Sequence, residues 1–183
     1  MIKTGYRDDV APNFETISKY LISIESIERR FHYDQLNKTK AATIQKRLEQ
    51  LISTIYLNHL KADILRCSSL SKTVEPTHRI QYFHSMNASL QAVLRAFILL
   101  KQLSPMAVTS WTILHCTMSS ALILAGLESA FGIKESEGLL PKLIVTLSVV
   151  TEGSDPDDTR RMAMAPYTHG LAALKHNMRQ TNE

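Results

Sequence analysis

The feature that most constrains the fold is a long uncharged stretch, residues 102–127, which contains no Asp, Glu, Lys or Arg. Hydroxyl and imidazole side chains interrupt its apolar character, namely Thr109, Ser110, Thr112, His115, Thr117, Ser119 and Ser120. A membrane-spanning helix needs about 20 predominantly apolar residues. We therefore predict a buried helix, apolar on nearly every side, which other helices must cover.

Apolar residues recur at steps of three and four along the rest of the chain, the spacing of one helical face. Helices are predicted over residues 14–31, 40–66, 77–103, 105–131, 139–151 and 166–178. No stretch shows the two-residue alternation of a strand convincingly. The sequence thus predicts an all-α, single-domain bundle of about six helices around a central apolar helix. Residues 1–13 are interpreted as a loose N-terminal arm and residues 14–183 as the domain.

Capping residues suggest where the predicted helices begin and end. Asn13 is a plausible N-cap of the first helix, and the polar residues 68–76 are interpreted as a loop. Ser104 and Pro105 match the N-cap and first position of the central helix. Gly132 after Phe131 can take the left-handed conformation that often ends a helix.

The net charge and the two cysteines indicate which partners and which cellular compartment to expect. The net charge is +4 and the pI is about 9.1, but acidic residues separate the basic ones, which indicates a solvated basic face. Two cysteines, Cys67 and Cys116, do not form a disulfide framework. The first apolar stretch contains Lys19, Glu25 and Glu28, unlike a secretory signal. We expect an intracellular protein, cytoplasmic or nuclear, with no membrane partner; a homodimer stays open.

A family resemblance begins at residue 89, in the run SLQAVLRAFILLKQLSPMAVTSWTILHCTMSSALILAGL. Its features are Leu90, Val93, Leu94, Arg95, Ala96, Phe97, Leu103, Ser104, Pro105, Ser110, Trp111 and His115. This run resembles the C-terminal part of the regulatory middle homology region of fungal zinc-cluster (Zn₂Cys₆) transcription factors. Residues 54–67 and 166–175 look like flanking helices of that region. The resemblance thus covers most of residues 54–175.

What the resemblance implies is a helical, effector-responsive module linked to natural-product metabolism, because such regulators often accompany natural-product gene clusters. The six-cysteine cluster that defines the family and reads DNA is missing, since the chain has two cysteines. We therefore expect no direct DNA binding.

Standard catalytic and metal-binding motifs are missing from the sequence. No two histidines lie three or four residues apart, and there is no HExxH or CxxC motif. Asp155, Asp157 and Asp158 flank Pro156 in a predicted turn, where capping and solvation are their simplest roles. We predict no metal and no cofactor, and the catalytic residues, if there are any, are unknown.

The candidate site lies on the central helix, where Trp111, His115 and Met118 share one side and Thr112 lies beside them. One interpretation makes them core residues. The other makes them a pocket wall for an apolar small molecule, with an aromatic plate, a hydrogen-bond donor and a soft filler. Further candidates for polar contacts are Tyr56, His59, Tyr82 and Arg95. Arg95 could instead pair with Asp63.

Three functions remain open at this point. The first is a stand-alone small-molecule-binding module without turnover. The second is a cofactor-independent cyclase, a pericyclase of the Diels–Alder type, which would fold an apolar polyene or terpenoid in a shaped, dry cavity. The third is a partner-binding or structural fragment.

Overall fold

Helices account for almost all of the chain that the computed structural model describes, which is residues 14–36, 44–70, 75–131, 138–151 and 167–177. They are α1 (Phe14–Leu36), α2 (Ile44–Leu70), α3 (Pro76–Leu103), α4 (Trp111–Phe131), α5 (Leu139–Thr151) and α6 (167–177). No strand occurs in these ranges. The prediction of an all-α, single-domain bundle of about six helices is confirmed. The predicted arm, Asn13, Gly132 and the aspartates at 155–158 lie outside the described residues.

The core of the bundle joins α2, α3, α4, α5 and α6. α3 packs against α2, α4 and α5, and α1 packs against α2. The largest fully buried apolar side chains of these five helices are Ile55, Leu65, Met86, Leu90, Leu94, Phe97, Leu100, Leu114, Leu124, Leu143 and Leu147. Burial of each such side chain contributes roughly 1.5–3 kcal/mol.

The predicted central helix, α4, packs against α2 and α3 and contacts α6 through Met118 and Gly170. Ile113, Leu114, Ala121 and Leu124 are among its buried residues. One side of α4 nevertheless faces solvent, and it carries small or uncharged side chains. None of the described helices is long and apolar enough to cross a membrane.

The predicted start of α4 at Ser104 and Pro105 is wrong. Ser104 ends α3 instead, and its backbone N–H donates to the carbonyl of Leu100 at 2.8 Å. The chain then makes a short 3-10 turn, Ala107–Thr109, whose central residue Val108 is fully buried. α4 begins at Trp111, and the Leu114 N–H donates to the Ser110 carbonyl at 3.0 Å. This 3-10 turn therefore separates α3 from α4, and the predicted helix begins only at Trp111.

Other helix boundaries follow local chemistry. α2 continues to Leu70, past the predicted loop start at residue 68. α3 begins with Pro76, which needs no N–H partner at the first helical position, and Arg79 N–H donates to the Glu75 carbonyl. Gly138 precedes α5 with a φ of +76°, a conformation that favours glycine. α5 has the predicted bounds, 139–151.

Candidate functional site

The site is assembled where α2 meets the first half of α4. We call it the α2–α4 junction, and it consists of His59, Asp63 and Arg66 from α2 and Trp111, His115 and Ser120 from α4. His59 is its centre, with only 14% of its side chain exposed. Its Nδ1 lies 3.1 Å from Oγ of Ser120, and its Nε2 lies 3.5 Å from Oδ2 of Asp63.

Helical spacing places the α2 members of the junction together. Asp63 follows His59 by four residues and precedes Arg66 by three, so all three share one side of α2. Nη2 of Arg66 lies 3.4 Å from Oδ1 of Asp63. Arg66 and Asp63 are partly exposed, so this ion pair adds little stability by itself. It does hold the carboxylate beside His59.

Trp111 and His115 form the outer face of the junction. Their rings are nearly parallel, with an interplanar angle of 14° and centroids 5.4 Å apart, an offset stack. The spacing of four residues along α4 brings the rings together. Trp111 is 65% exposed, and His115 is exposed as well. The two rings therefore present aromatic surface to solvent.

Burial sets the protonation states around the junction. It is the main reason why the pKa of His59 lies below its ordinary value of 6.5; Asp63 acts in the opposite direction, while His115 and Arg66 lower the pKa further. Burial, and then Asp63, raise the pKa of the Cys116 thiol. The junction thus favours a neutral imidazole at His59 and a neutral thiol at Cys116.

The structure brings together some of the predicted site residues. His59 faces α4 through Ser120, as expected for a polar group opposite the central helix. Thr112 is exposed next to Trp111, and Tyr56 lies one turn before His59 with 37% of its surface exposed. The interpretation of Trp111 and His115 as core residues is wrong, because both lie at the surface.

Three further predicted site residues, Met118, Tyr82 and Arg95, take no part in the exposed stack of Trp111 on His115. Met118 and Tyr82 are 5% and 9% exposed and belong to the hydrophobic core. Arg95 is exposed on α3 and donates to Oε1 of Gln91 at 3.0 Å. The alternative that Arg95 pairs with Asp63 is wrong, because Asp63 is paired with His59 and Arg66 of its own helix.

Ser120 is the junction residue that sequence reasoning missed. It is fully buried, and its hydroxyl is bonded to His59. Its position was a usable signal, because a serine on the buried side of an apolar helix needs a hydrogen-bond partner. The connected Ser120, His59 and Asp63 are the residue types of a hydrolytic triad. A serine without any exposed surface cannot attack a substrate, so we assign Ser120 a structural role.

The arrangement is suited to binding rather than to covalent chemistry. The stacked rings offer apolar contact, and the exposed imidazole of His115 offers a donor and an acceptor. Among the described residues, no three His, Cys, Asp or Glu side chains are grouped so that they could hold a metal ion. No protein-family model, curated protein or solved structure gives a significant match to this chain.

Proposed function

We propose that this chain is a stand-alone small-molecule-binding helical module, derived from the regulatory domain of a fungal zinc-cluster transcription factor and linked to natural-product metabolism. The resemblance of residues 89–127 to that domain supports the origin. The observation that carries the binding function is the exposed stack of Trp111 on His115, beside the partly buried His59.

The energetic argument concerns the exposed indole. A ligand that covers about 100 Å² of apolar ring surface would gain roughly 2.5 kcal/mol from the hydrophobic effect. Stacking on an aromatic ring adds about 0.5–1.5 kcal/mol. An exposed Trp fixed by a neighbouring ring loses little conformational freedom on binding. These terms favour a flat, apolar ligand at this face.

The polar groups around the stack add selectivity. The ring nitrogens of His115 and the hydroxyl of the exposed Thr112 can meet a carbonyl or hydroxyl of the ligand. Both ring nitrogens of His59 already face protein atoms, Ser120 and Asp63, so His59 serves to support the junction. The ligand class that fits is a flat apolar molecule with one or two oxygen substituents.

A cofactor-independent cyclase is the alternative function. The imidazole of His115 could polarise a carbonyl of a polyene or terpenoid, as such a reaction requires. Pericyclic catalysis also needs a cavity that excludes water and holds the reacting atoms together. The 65% exposure of Trp111 therefore supports reversible binding over turnover.

The test is incubation of the purified chain with an organic extract of the organism that makes it, followed by mass spectrometry of retained and newly formed compounds. We expect a compound retained in a fixed ratio to the protein. Trp111→Ala and His115→Ala should reduce retention at least about tenfold, which corresponds to 1.4 kcal/mol. Tyr20→Ala is the matched control, because Tyr20 is an exposed aromatic residue on α1.

Two results would contradict the proposal. An isomer of unchanged mass that accumulates with time would favour the cyclase. Equal retention of the compound by the wild type and the Trp111→Ala variant would show that the binding site does not lie on this face of α4. The Trp111→Ala and His115→Ala variants should unfold at the same urea concentration as the wild type, because exposed residues contribute little to stability.

A further inference from the structure

The polar contacts of His59 with Ser120 and Asp63 favour one neutral form of its ring. A neutral imidazole has one donor nitrogen and one acceptor nitrogen. Its Nε2 lies 3.5 Å from the Asp63 carboxylate, which only accepts, so we assign the proton of the neutral ring to Nε2. Its Nδ1 must then accept the hydrogen bond of the Ser120 hydroxyl, 3.1 Å away. In this form the Ser120–His59 bond links α4 directly to α2.

We propose that His59 is a pH-sensitive switch that weakens the contact between α2 and α4 when it takes up a proton. Protonation turns Nδ1 into a donor, so the direction of the hydrogen bond reverses: Nδ1–H donates to the Ser120 oxygen, and the hydroxyl proton loses its acceptor. The hydroxyl must rotate toward another acceptor, in a place where Ser120 has no exposed surface. The added charge also enters a site with 14% side-chain exposure, where a charge is disfavoured.

The charged and titratable groups that act on the pKa of His59 lie on α2 itself and on α4, although α1 and α3 also pack against α2. On α2, Asp63 favours the charged imidazole and Arg66 opposes it. On α4, His115 opposes it, and the buried thiol of Cys116 lies within electrostatic reach of the same Asp63. Burial, His115 and Arg66 together outweigh the carboxylate, so the pKa of His59 is lowered overall.

The direction of the pH effect follows from this lowered pKa. The folded chain holds the His59 proton less tightly than the unfolded chain does. As the pH falls, the unfolded chain is protonated first, and folding becomes less favourable. The stability contributed by neutral His59 is complete above the ordinary pKa of 6.5 and is lost as the pH falls through the folded-state pKa.

The experiment compares urea unfolding of the wild type, His59→Gln and His169→Gln between about pH 7.5 and about pH 5, the range in which histidines titrate. Glutamine keeps a donor and an acceptor but does not titrate there. We expect the unfolding constant of the wild type to rise at least about threefold more than that of His59→Gln, because only the wild type loses the contribution of the neutral imidazole. The His169→Gln control, on the exposed side of α6, should follow the wild type.

If the unfolding constants of the wild type and His59→Gln rise equally as the pH falls, the proposal is overturned. If His59→Gln does not fold, nuclear magnetic resonance of the wild-type imidazole nitrogens decides the question. The expected result is a proton on Nε2 at neutral pH and a titration midpoint below 6.5 for His59. A proton on Nδ1, or a midpoint at or above that value, would overturn the switch.

Discussion

The phenol of Tyr167, at the start of α6, donates a hydrogen bond to the backbone carbonyl of Trp111, the first residue of α4, at 3.2 Å. Tyr167 is 5% exposed, and burial raises its pKa, so the phenol keeps its proton. Leu171 and Leu174 of α6 are buried in the core as well. α6 is thus attached to the helix that carries the aromatic stack.

Tyr167→Phe should lower the free energy of unfolding by about 1 kcal/mol, because it removes this buried hydrogen bond but keeps the ring. Urea denaturation measures the effect, and amide hydrogen exchange along α6 shows where it acts. The control is Tyr20→Phe, whose exposed side chain should contribute less than about 0.5 kcal/mol. Unchanged protection of α6 in Tyr167→Phe would show that the bond does not hold this helix in place.

Gly170→Ala tests the close approach of α6 to α4. A Cβ atom at Gly170 would lie 2.9 Å from Sδ and 3.0 Å from Cγ of Met118. Alanine is favoured over glycine in a helix by about 1 kcal/mol, but overpacking costs typically 1–3 kcal/mol. We therefore expect Gly170→Ala to lower the free energy of unfolding, measured by urea denaturation, by up to about 2 kcal/mol.

Two companion variants separate overpacking from helix propensity. In a Met118→Ala background, Gly170→Ala should become neutral or stabilising, because the obstructing side chain is gone. Gly126→Ala should stabilise the fold by about 0.5–1 kcal/mol, since no atom lies within 4 Å of its added Cβ. The same loss from Gly170→Ala with and without the Met118 side chain would contradict the packing argument.

Thr117→Val should stabilise the protein by about 1 kcal/mol. Thr117 is fully buried, and in the described part of the chain its Oγ1 has no hydrogen-bond partner. Valine has nearly the same shape without the desolvated hydroxyl. Thr146→Val is the control, because Oγ1 of Thr146 donates to the Lys142 carbonyl at 2.8 Å. Destabilisation by Thr117→Val would mean that the hydroxyl makes a favourable interaction.

The thiol of Cys116 should react slowly with a thiol-specific disulfide reagent at mildly alkaline pH. Its side chain is buried, and burial followed by Asp63 raises its pKa, so little thiolate forms. A Cys67→Ser background isolates its signal, and labelling in urea gives the unprotected rate. We expect the native rate to be at least about a hundredfold lower, as for a group exposed only by opening of the fold. Equal rates in the native and unfolded chains would place Cys116 at the surface.

The sequence was sufficient for the fold because hydrophobic spacing reports each helix locally. α5 has the bounds that its apolar spacing predicts. The start of α4 differs from the prediction because serine suits either end of a helix, so Ser104 by itself does not tell whether it ends α3 or begins α4. Spacing also could not orient α4. A helix with apolar residues all round has no pattern that tells which side faces out, so the exposure of Trp111 depends on its neighbours.

The site was predictable only where one helix determines it. The stack of Trp111 on His115 follows from a spacing of four residues. The contact between His59 and Ser120 does not follow from spacing along one helix. Ser120 lies on another helix, so this contact depends on how α2 and α4 pack. The hydrogen bond between Arg95 and Gln91 was also predictable from local spacing, since the two residues lie four positions apart on α3.

Trp111 is the only tryptophan in the chain, so all tryptophan fluorescence originates from the first residue of α4. Its indole is exposed and stacks on the imidazole of His115. A ligand that covers the indole would change its solvation, and the emission spectrum would report that change. The unlabelled protein carries an optical reporter at the surface where we expect its ligand to bind.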